Sequence, residues 1–223
     1  PPRVPEPPGP PPPPGALPAM TGAGAAPPSP SAATPSPSAA TPATGARCLV
    51  VAGPPGAGKT TLAAHAAAHL KAALIDKDAL EWPLANCALT AAGAAKDDAY
   101  YNSTIKPSAY ETCLRVAAQN CAAGIDVVMV APFTSYVKDA TFLATLAHRF
   151  GARVALLWVV AYPEALARRQ QARAADQDTS VKVTLPKPPA CAHVLVDTSS
   201  VQEAEMRSTA LDAVTRAFSA EKT

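Results

Sequence analysis

From residue 47 onward, short apolar runs alternate with amphipathic stretches. Cys48-Leu49-Val50-Val51-Ala52 is an unbroken apolar run ended by glycine, the pattern of a strand buried on both faces. Residues 59–71 follow with Leu62, Ala66 and Leu70 along one side of a helix. Ala73-Leu74-Ile75 predicts a second strand that closes on Asp76. Residues 79–106 hold neither period, and predict an irregular, polar-aromatic connection longer than an ordinary one. Pro107 suits the first turn of a helix that runs to about Ala123, where Gly124 stops it. Residues 126–131 predict a third strand, 135–150 a helix, 153–160 a fourth strand, 163–175 a helix, 193–196 a fifth strand and 201–218 a last helix. The alternation predicts an α/β fold: a five-stranded parallel sheet with helices on both faces. Ligands of such sheets bind beyond the carboxyl ends of the strands, so the residues that follow each strand carry the functional information.

The first such junction is the most specific. Gly53, Pro54, Pro55, Gly56, Ala57, Gly58, Lys59 and Thr60 spell G-x-x-x-x-G-K-[ST] in full, with Thr61 next, between a strand and a helix. Glycines let the backbone curl around a phosphate and turn its N–H groups inward. The helix N-terminus adds positive partial charge. Lys59 is expected to reach the β- and γ-phosphates, and the Thr60 hydroxyl to meet Mg²⁺. The motif therefore predicts a P-loop that binds Mg-ATP through residues 53–61.

Three features favour a small kinase over a motor or a switch. The folded part leaves no room for the extra helical domain of ring-forming ATPases. The third strand ends in Val-Met-Val-Ala131 without a carboxylate, and Asp126 stands at its other end. Asp76-Lys77-Asp78 comes directly after the second strand, where two carboxylates would lie near the γ-phosphate. One can help hold Mg²⁺ while the other accepts a proton from an attacking hydroxyl. A lone Asp-x-Asp is more often a solvated turn or helix cap. Beside a complete P-loop, the catalytic reading is favoured.

From about Arg47 to Phe218 the chain resembles the small P-loop kinases that include shikimate kinase, gluconate kinase, chloramphenicol phosphotransferase and the zeta toxins. It is most similar to the broad bacterial set of kinase-like ATP-binding proteins. The shared points are residues 53–61, Asp76-Lys77-Asp78, Val130-Ala131-Pro132-Phe133, the helix bearing Arg169, and Val196-Asp197-Thr198-Ser199. The resemblance implies a P-loop nucleoside triphosphate hydrolase fold with strand order 2-3-1-4-5. It implies that Asp76 lies on the Mg²⁺ side and that Asp78 orients the acceptor hydroxyl. It also implies a substrate segment between the second and third strands, over 79–106, and a mobile lid over about 163–189.

Arg169 and Arg173 are four apart on the expected lid helix, with Arg168 one step around, so the first two share a face. Guanidiniums aimed at the transferring phosphoryl group would stabilise its charge; a solvated basic face accounts for the same spacing. Residues 176–189 are polar and proline-containing, as suits a loop that closes and opens. Trp82, Tyr100, Tyr101 and Asn102 suit a small-molecule pocket or a half-buried core equally. Asp197-Thr198-Ser199 falls where the relatives pass the adenine. Segment 79–106 has no arginine, which argues against an anionic acceptor.

Composition divides the chain. Residues 1–46 hold 17 of its 26 prolines and almost nothing large and apolar, so they predict a disordered or polyproline-like tail. Residues 10–14 offer an SH3-type partner a polyproline segment. A net charge of +2 gives no electrostatic case for nucleic acid or a membrane surface. Five cysteines without a CxxC pair suit free thiols in a reducing cytoplasm, and the four histidines form no metal-ligand spacing. The expected activity is transfer of a phosphoryl group from Mg-ATP to a hydroxyl of a small molecule. The alternative is a nucleotide-binding regulatory module whose proline-rich tail engages partners.

Overall fold

A computed structural model describes residues 45–93, 99–174 and 187–219. The proline-rich tail to residue 44, including 10–14, and residues 175–186 of the expected lid lie outside the described residues. Five strands form one sheet: β1 (Arg47–Ala52), β2 (Ala73–Asp76), β3 (Val127–Val130), β4 (Arg153–Val160) and β5 (Val194–Asp197). Every pairing is parallel, and the order is β2-β3-β1-β4-β5. Sheet, order and two-sided helical cover all agree with expectation.

The two-residue period of a strand divides the apolar runs between two cores. Cys48, Val50 and Ala52 of β1, Val127 and Met129 of β3, and Val154, Leu156 and Trp158 of β4 share one core with α3 (Lys106–Ala122) and α4 (Phe142–Phe150). Leu49, Val51, Val128, Val130, Leu157 and Val159 point the other way, into α1 (Lys59–Leu70), α5 (Pro163–Ala174) and α6 (Met206–Ser219). Nearly all of these side chains are fully buried. Each fully buried Val, Leu or Met contributes about 1.5–3 kcal/mol of transfer free energy, so the central strands anchor whatever leaves their ends. Ala46, which composition places in the tail, is buried too, and its carbonyl accepts the Arg153 N–H at 3.0 Å. Asp126 does lie at the amino end of β3, where it takes Arg47 N–H at 2.7 Å and the Arg47 guanidinium at 2.6 Å.

The segment expected to be irregular is largely helical. Helix α2 spans Lys77–Ala92, and a π-helical turn, Tyr101–Ile105, runs directly into α3. Residues 94–98 lie outside the described residues. Pro83 sits inside α2 and forfeits one backbone hydrogen bond there, which is why its sequence argued against a helix. Asp76 offsets part of this: its side chain caps α2 by accepting the Asp78 N–H at 2.8 Å. Pro107 does not open a helix. It falls just past the π turn, so helical backbone precedes it. The expected helix at 135–150 is a short 3₁₀ turn, Tyr136–Lys138, followed by α4.

Candidate active site

The loop between β1 and α1 leaves the carboxyl end of the central strand. Gly53 has φ 144°, and a Cβ there would lie 2.0 Å from the carbonyl oxygen of Val159 on β4. Only glycine lets the loop pass so close to its neighbour strand. Gly56 and Gly58 are left-handed at φ 82° and 84°. Gly58 is the N-cap of α1 and has no side chain to satisfy the free N–H groups of the first turn, which contains no acidic residue. Unsatisfied donors and the helix dipole make this end an anion site. The Lys59 ammonium spans the loop and donates to the Pro54 carbonyl at 2.8 Å.

Across from it stands the carboxyl end of β2. The Thr60 hydroxyl lies 3.4 Å from Asp76 Oδ2. Gly58, Lys59, Thr60, Asp76 and Asp78 border one cleft of about 120 Å³, closed on a further side by the end of β3. Two helix starts and two strand ends thus bring together the residues that sequence placed near the phosphates. The Thr60 hydroxyl and the Asp76 carboxylate are hard oxygen donors of the type that Mg²⁺ takes alongside phosphate and water, so the residues present fit that ion.

Sequence reasoning passed over what lies beneath Asp78. The Lys77 side chain is buried, and its ammonium bridges two carboxylates, Asp78 at 2.9 Å and Glu81. It also lies over the Tyr110 ring. Burial works to lower the Lys77 pKa, but hydrogen bonds to Glu81 and Asp78 outweigh it and raise it well above the usual value. Lys77 is therefore a fixed cation. Glu81 is as buried as Lys77, and its Oε1 has no partner of hydrogen-bonding geometry among the described residues. Burial pushes the Tyr101 hydroxyl up, and the nearby Glu81 carboxylate pushes it further. The i, i+4 spacing of Lys77 and Glu81 was the available signal; it reads as a solvated pair until the helix is known. Of the aromatic candidates, Tyr101 is buried, whereas Tyr100 and Asn102 are exposed.

Arg169 is not aimed at the cleft as a free guanidinium. It donates to Thr198 Oγ1 at 3.0 Å, to the Thr198 carbonyl at 2.6 Å and to the Gly56 carbonyl at 3.4 Å. Thr198 is fully buried and passes a hydrogen bond to the Ala57 carbonyl at 2.8 Å. Arg169 and Thr198 thus tie α5 and the segment after β5 to the phosphate loop from behind. The expectation of a phosphoryl-facing Arg169 gives way to this tether, because two P-loop carbonyls needed donors. Arg168 is exposed. The side chain of Arg173 lies outside the described residues.

Residues 49–186 match the AAA domain family. This chain belongs to that family. Its fold is the one seen in small P-loop kinases. A candidate kinase from Chloroflexus aurantiacus J-10-fl superimposes with a TM-score of 0.55 at 19% identity, covering 76% of this chain and 98% of the other. The APS kinase CysC of Mycobacterium tuberculosis, solved with AMPPNP and APS, gives 0.50 at 14% identity and covers 76% and 95%. No curated protein matches the sequence. Within this AAA-domain protein, the match takes in the phosphate loop, α2, α3 and the start of α5, and so covers most of the cleft. No helix among the described residues is long and apolar enough to cross a membrane.

Proposed function

We propose that this protein is a kinase that transfers the γ-phosphoryl group of Mg-ATP to a hydroxyl of a small molecule. The observation that carries the reading is the shared cleft: Lys59 and Thr60 on one wall, Asp76 and Asp78 on the other. A nucleotide-binding module needs the first wall alone. The second adds an exposed carboxylate, Asp78, at the one edge of the phosphate site open to another molecule.

The roles follow from placement. The P-loop N–H groups and the α1 N-terminus hold the phosphates, and the Lys59 ammonium leaves the Pro54 carbonyl to meet the γ-phosphate. Thr60 and Asp76 would hold Mg²⁺, which, when bound, screens the negative charge of the β- and γ-phosphates. Asp78 accepts the proton of the acceptor hydroxyl as its oxygen bonds to the γ-phosphorus. The bond from that phosphorus to the β,γ-bridging oxygen breaks, and ADP leaves. Lys77 is a positioning residue: its buried ammonium fixes the Asp78 carboxylate and keeps it ionised. Arg169 and Thr198 hold the loop in its phosphate-binding curve.

The reading is tested by incubating the protein with Mg-ATP and a panel of hydroxyl compounds, following phosphoryl gain by mass spectrometry. A phosphorylated product whose formation needs Asp78 supports a kinase. Tight ATP binding with no product from any acceptor returns the regulatory module to first place.

A further inference from the structure

A second concavity lies beside the phosphate cleft, between α2 and α3. It is an open groove of about 200 Å³. One wall is Leu80, Leu84 and Ala88 of α2; the other is Thr104, Ser108 and Thr112, one helical turn apart. Leu80 and Leu84 are 37% and 73% exposed, more than a helix facing only water would choose for leucine. At the inner end lies Glu81, the one charged residue of the lining. Its side chain is 6% exposed, and its Oε1 is unpartnered. A buried carboxylate oxygen without a donor is costly, so a ligand donor placed there regains a large penalty.

The polar atoms of the groove all want donors. Ser108 donates its hydroxyl proton to the Thr104 carbonyl at 2.7 Å, and Thr112 to the Ser108 carbonyl at 2.9 Å. Their oxygens therefore face the groove as acceptors. The charge balance points the same way. Lys77 supplies one positive charge to two carboxylates, Asp78 and Glu81, so the cluster carries a net negative charge, and the lining contains no cation. Asp78 and Glu81 are three residues apart on α2, about 4.5 Å along the axis and on the same side. That separation matches an amine and a hydroxyl on neighbouring carbons of one molecule.

We propose that the α2–α3 groove binds an amino alcohol: its protonated amine meets Glu81, its apolar body lies along Leu80 and Leu84, and its hydroxyl faces Asp78. The assignment of the hydroxyl rests on the kinase reading; the assignment of the amine to Glu81 does not. The site selects against acids and phosphorylated acceptors, which would bring negative charge to an already negative cluster.

The test is titration calorimetry on the full chain with three probes of one skeleton: phenylalaninol, cationic at neutral pH; hydrocinnamyl alcohol, which lacks the amine; and anionic hydrocinnamate. Phenylalaninol is expected to bind at least ten-fold more tightly than the alcohol, and hydrocinnamate not at all. Glu81→Gln should abolish that preference while ATP affinity is retained. Since Glu81→Gln also removes a partner of Lys77, Ala88→Phe gives an independent check: it fills the groove away from the cluster and should block all binding of the probes. Equal binding of phenylalaninol and hydrocinnamyl alcohol, or an unchanged preference in Glu81→Gln, overturns the proposal. Binding of phenylalaninol without its phosphorylation leaves the groove assignment standing and counts against the kinase reading. Phosphorylation of an amine-free acceptor, with no binding of phenylalaninol, does the reverse.

Discussion

The two walls of the cleft are built on different principles. The phosphate wall is backbone: three glycines with positive φ, a helix start with free N–H groups, and carbonyls tied down by Arg169 and Thr198. The acceptor wall is side chain: Asp78 on the surface, Lys77 and Glu81 buried below it, and a groove of leucines and hydroxyls beside them. A backbone site has one shape and suits a ligand that never changes. A side-chain site can be rewritten position by position without disturbing the sheet. The phosphate end of this molecule is thus constrained by geometry, and the acceptor end by choice of residues.

The sharpest way to test that division is to damage each wall singly. Asp78→Asn keeps size and much of the hydrogen bonding but removes the base; turnover should fall by roughly 10²–10⁴, with ATP affinity and melting temperature held. Loss of ATP affinity in that variant would mean that the two walls are not separable. Gly53→Ala should do the opposite. Its Cβ meets the backbone of Val159, so the expected loss is about 3 kcal/mol of stability, with nucleotide binding failing as the loop is displaced. A normal urea midpoint for Gly53→Ala would show that the loop relaxes freely.

These two positions also mark how much was legible beforehand. Gly53 announces itself, because a conformation open only to glycine must be written as glycine, and the flanking apolar runs gave the sheet in the same way. The acceptor wall was not legible. Pro83 and an even spread of alanine hid α2, and without that helix Lys77 and Glu81 read as two solvated charges. Asp78 was found because it follows a strand end; its dependence on a buried lysine was not. Arg169 was found as an arginine on α5, yet its direction depended on the orphan carbonyls of Gly56 and on Thr198, more than a hundred and about thirty positions away.

A smaller effect tests whether the phosphate wall needs its rear support. Arg169→Ala removes charge-assisted bonds to Thr198 and Gly56, and should cost about 1.5–3 kcal/mol. ATP should bind more weakly, and the acceptor probes as before. If turnover alone falls, Arg169 acts on the phosphoryl group after all.

The smallest expected effect lies outside both walls and serves as the control. Glu111 accepts from Arg149 at 2.7 Å and from Arg115 at 2.9 Å, and these guanidiniums hold its pKa down to about 2. A folded pKa below the unfolded one gives stability that is present above about pH 4.5 and is lost as the pH falls toward 2. Glu111→Gln should therefore destabilise slightly at pH 7, by less than about 1 kcal/mol because the group is 44% exposed. The difference from wild type in thermal melts should vanish near pH 2. A difference that persists there would assign the effect to packing.

The order in which the ribosome delivers these parts has its own consequence. The central strand β1 is made first, but its hydrogen-bonded neighbours are β3 and β4. Asp126, which clamps Arg47, emerges 79 positions later. Pro132, whose carbonyl takes the Gly53 N–H, comes later still. At ordinary elongation rates that interval is on the order of ten seconds. Until then the nascent chain carries a glycine loop with nothing to hold its curve, and β2 has no neighbour either, since it pairs with β3. Nucleotide therefore cannot act as a template for the early chain. Truncated chains displayed on stalled ribosomes should capture ATP only once β3 and β4 have cleared the exit tunnel.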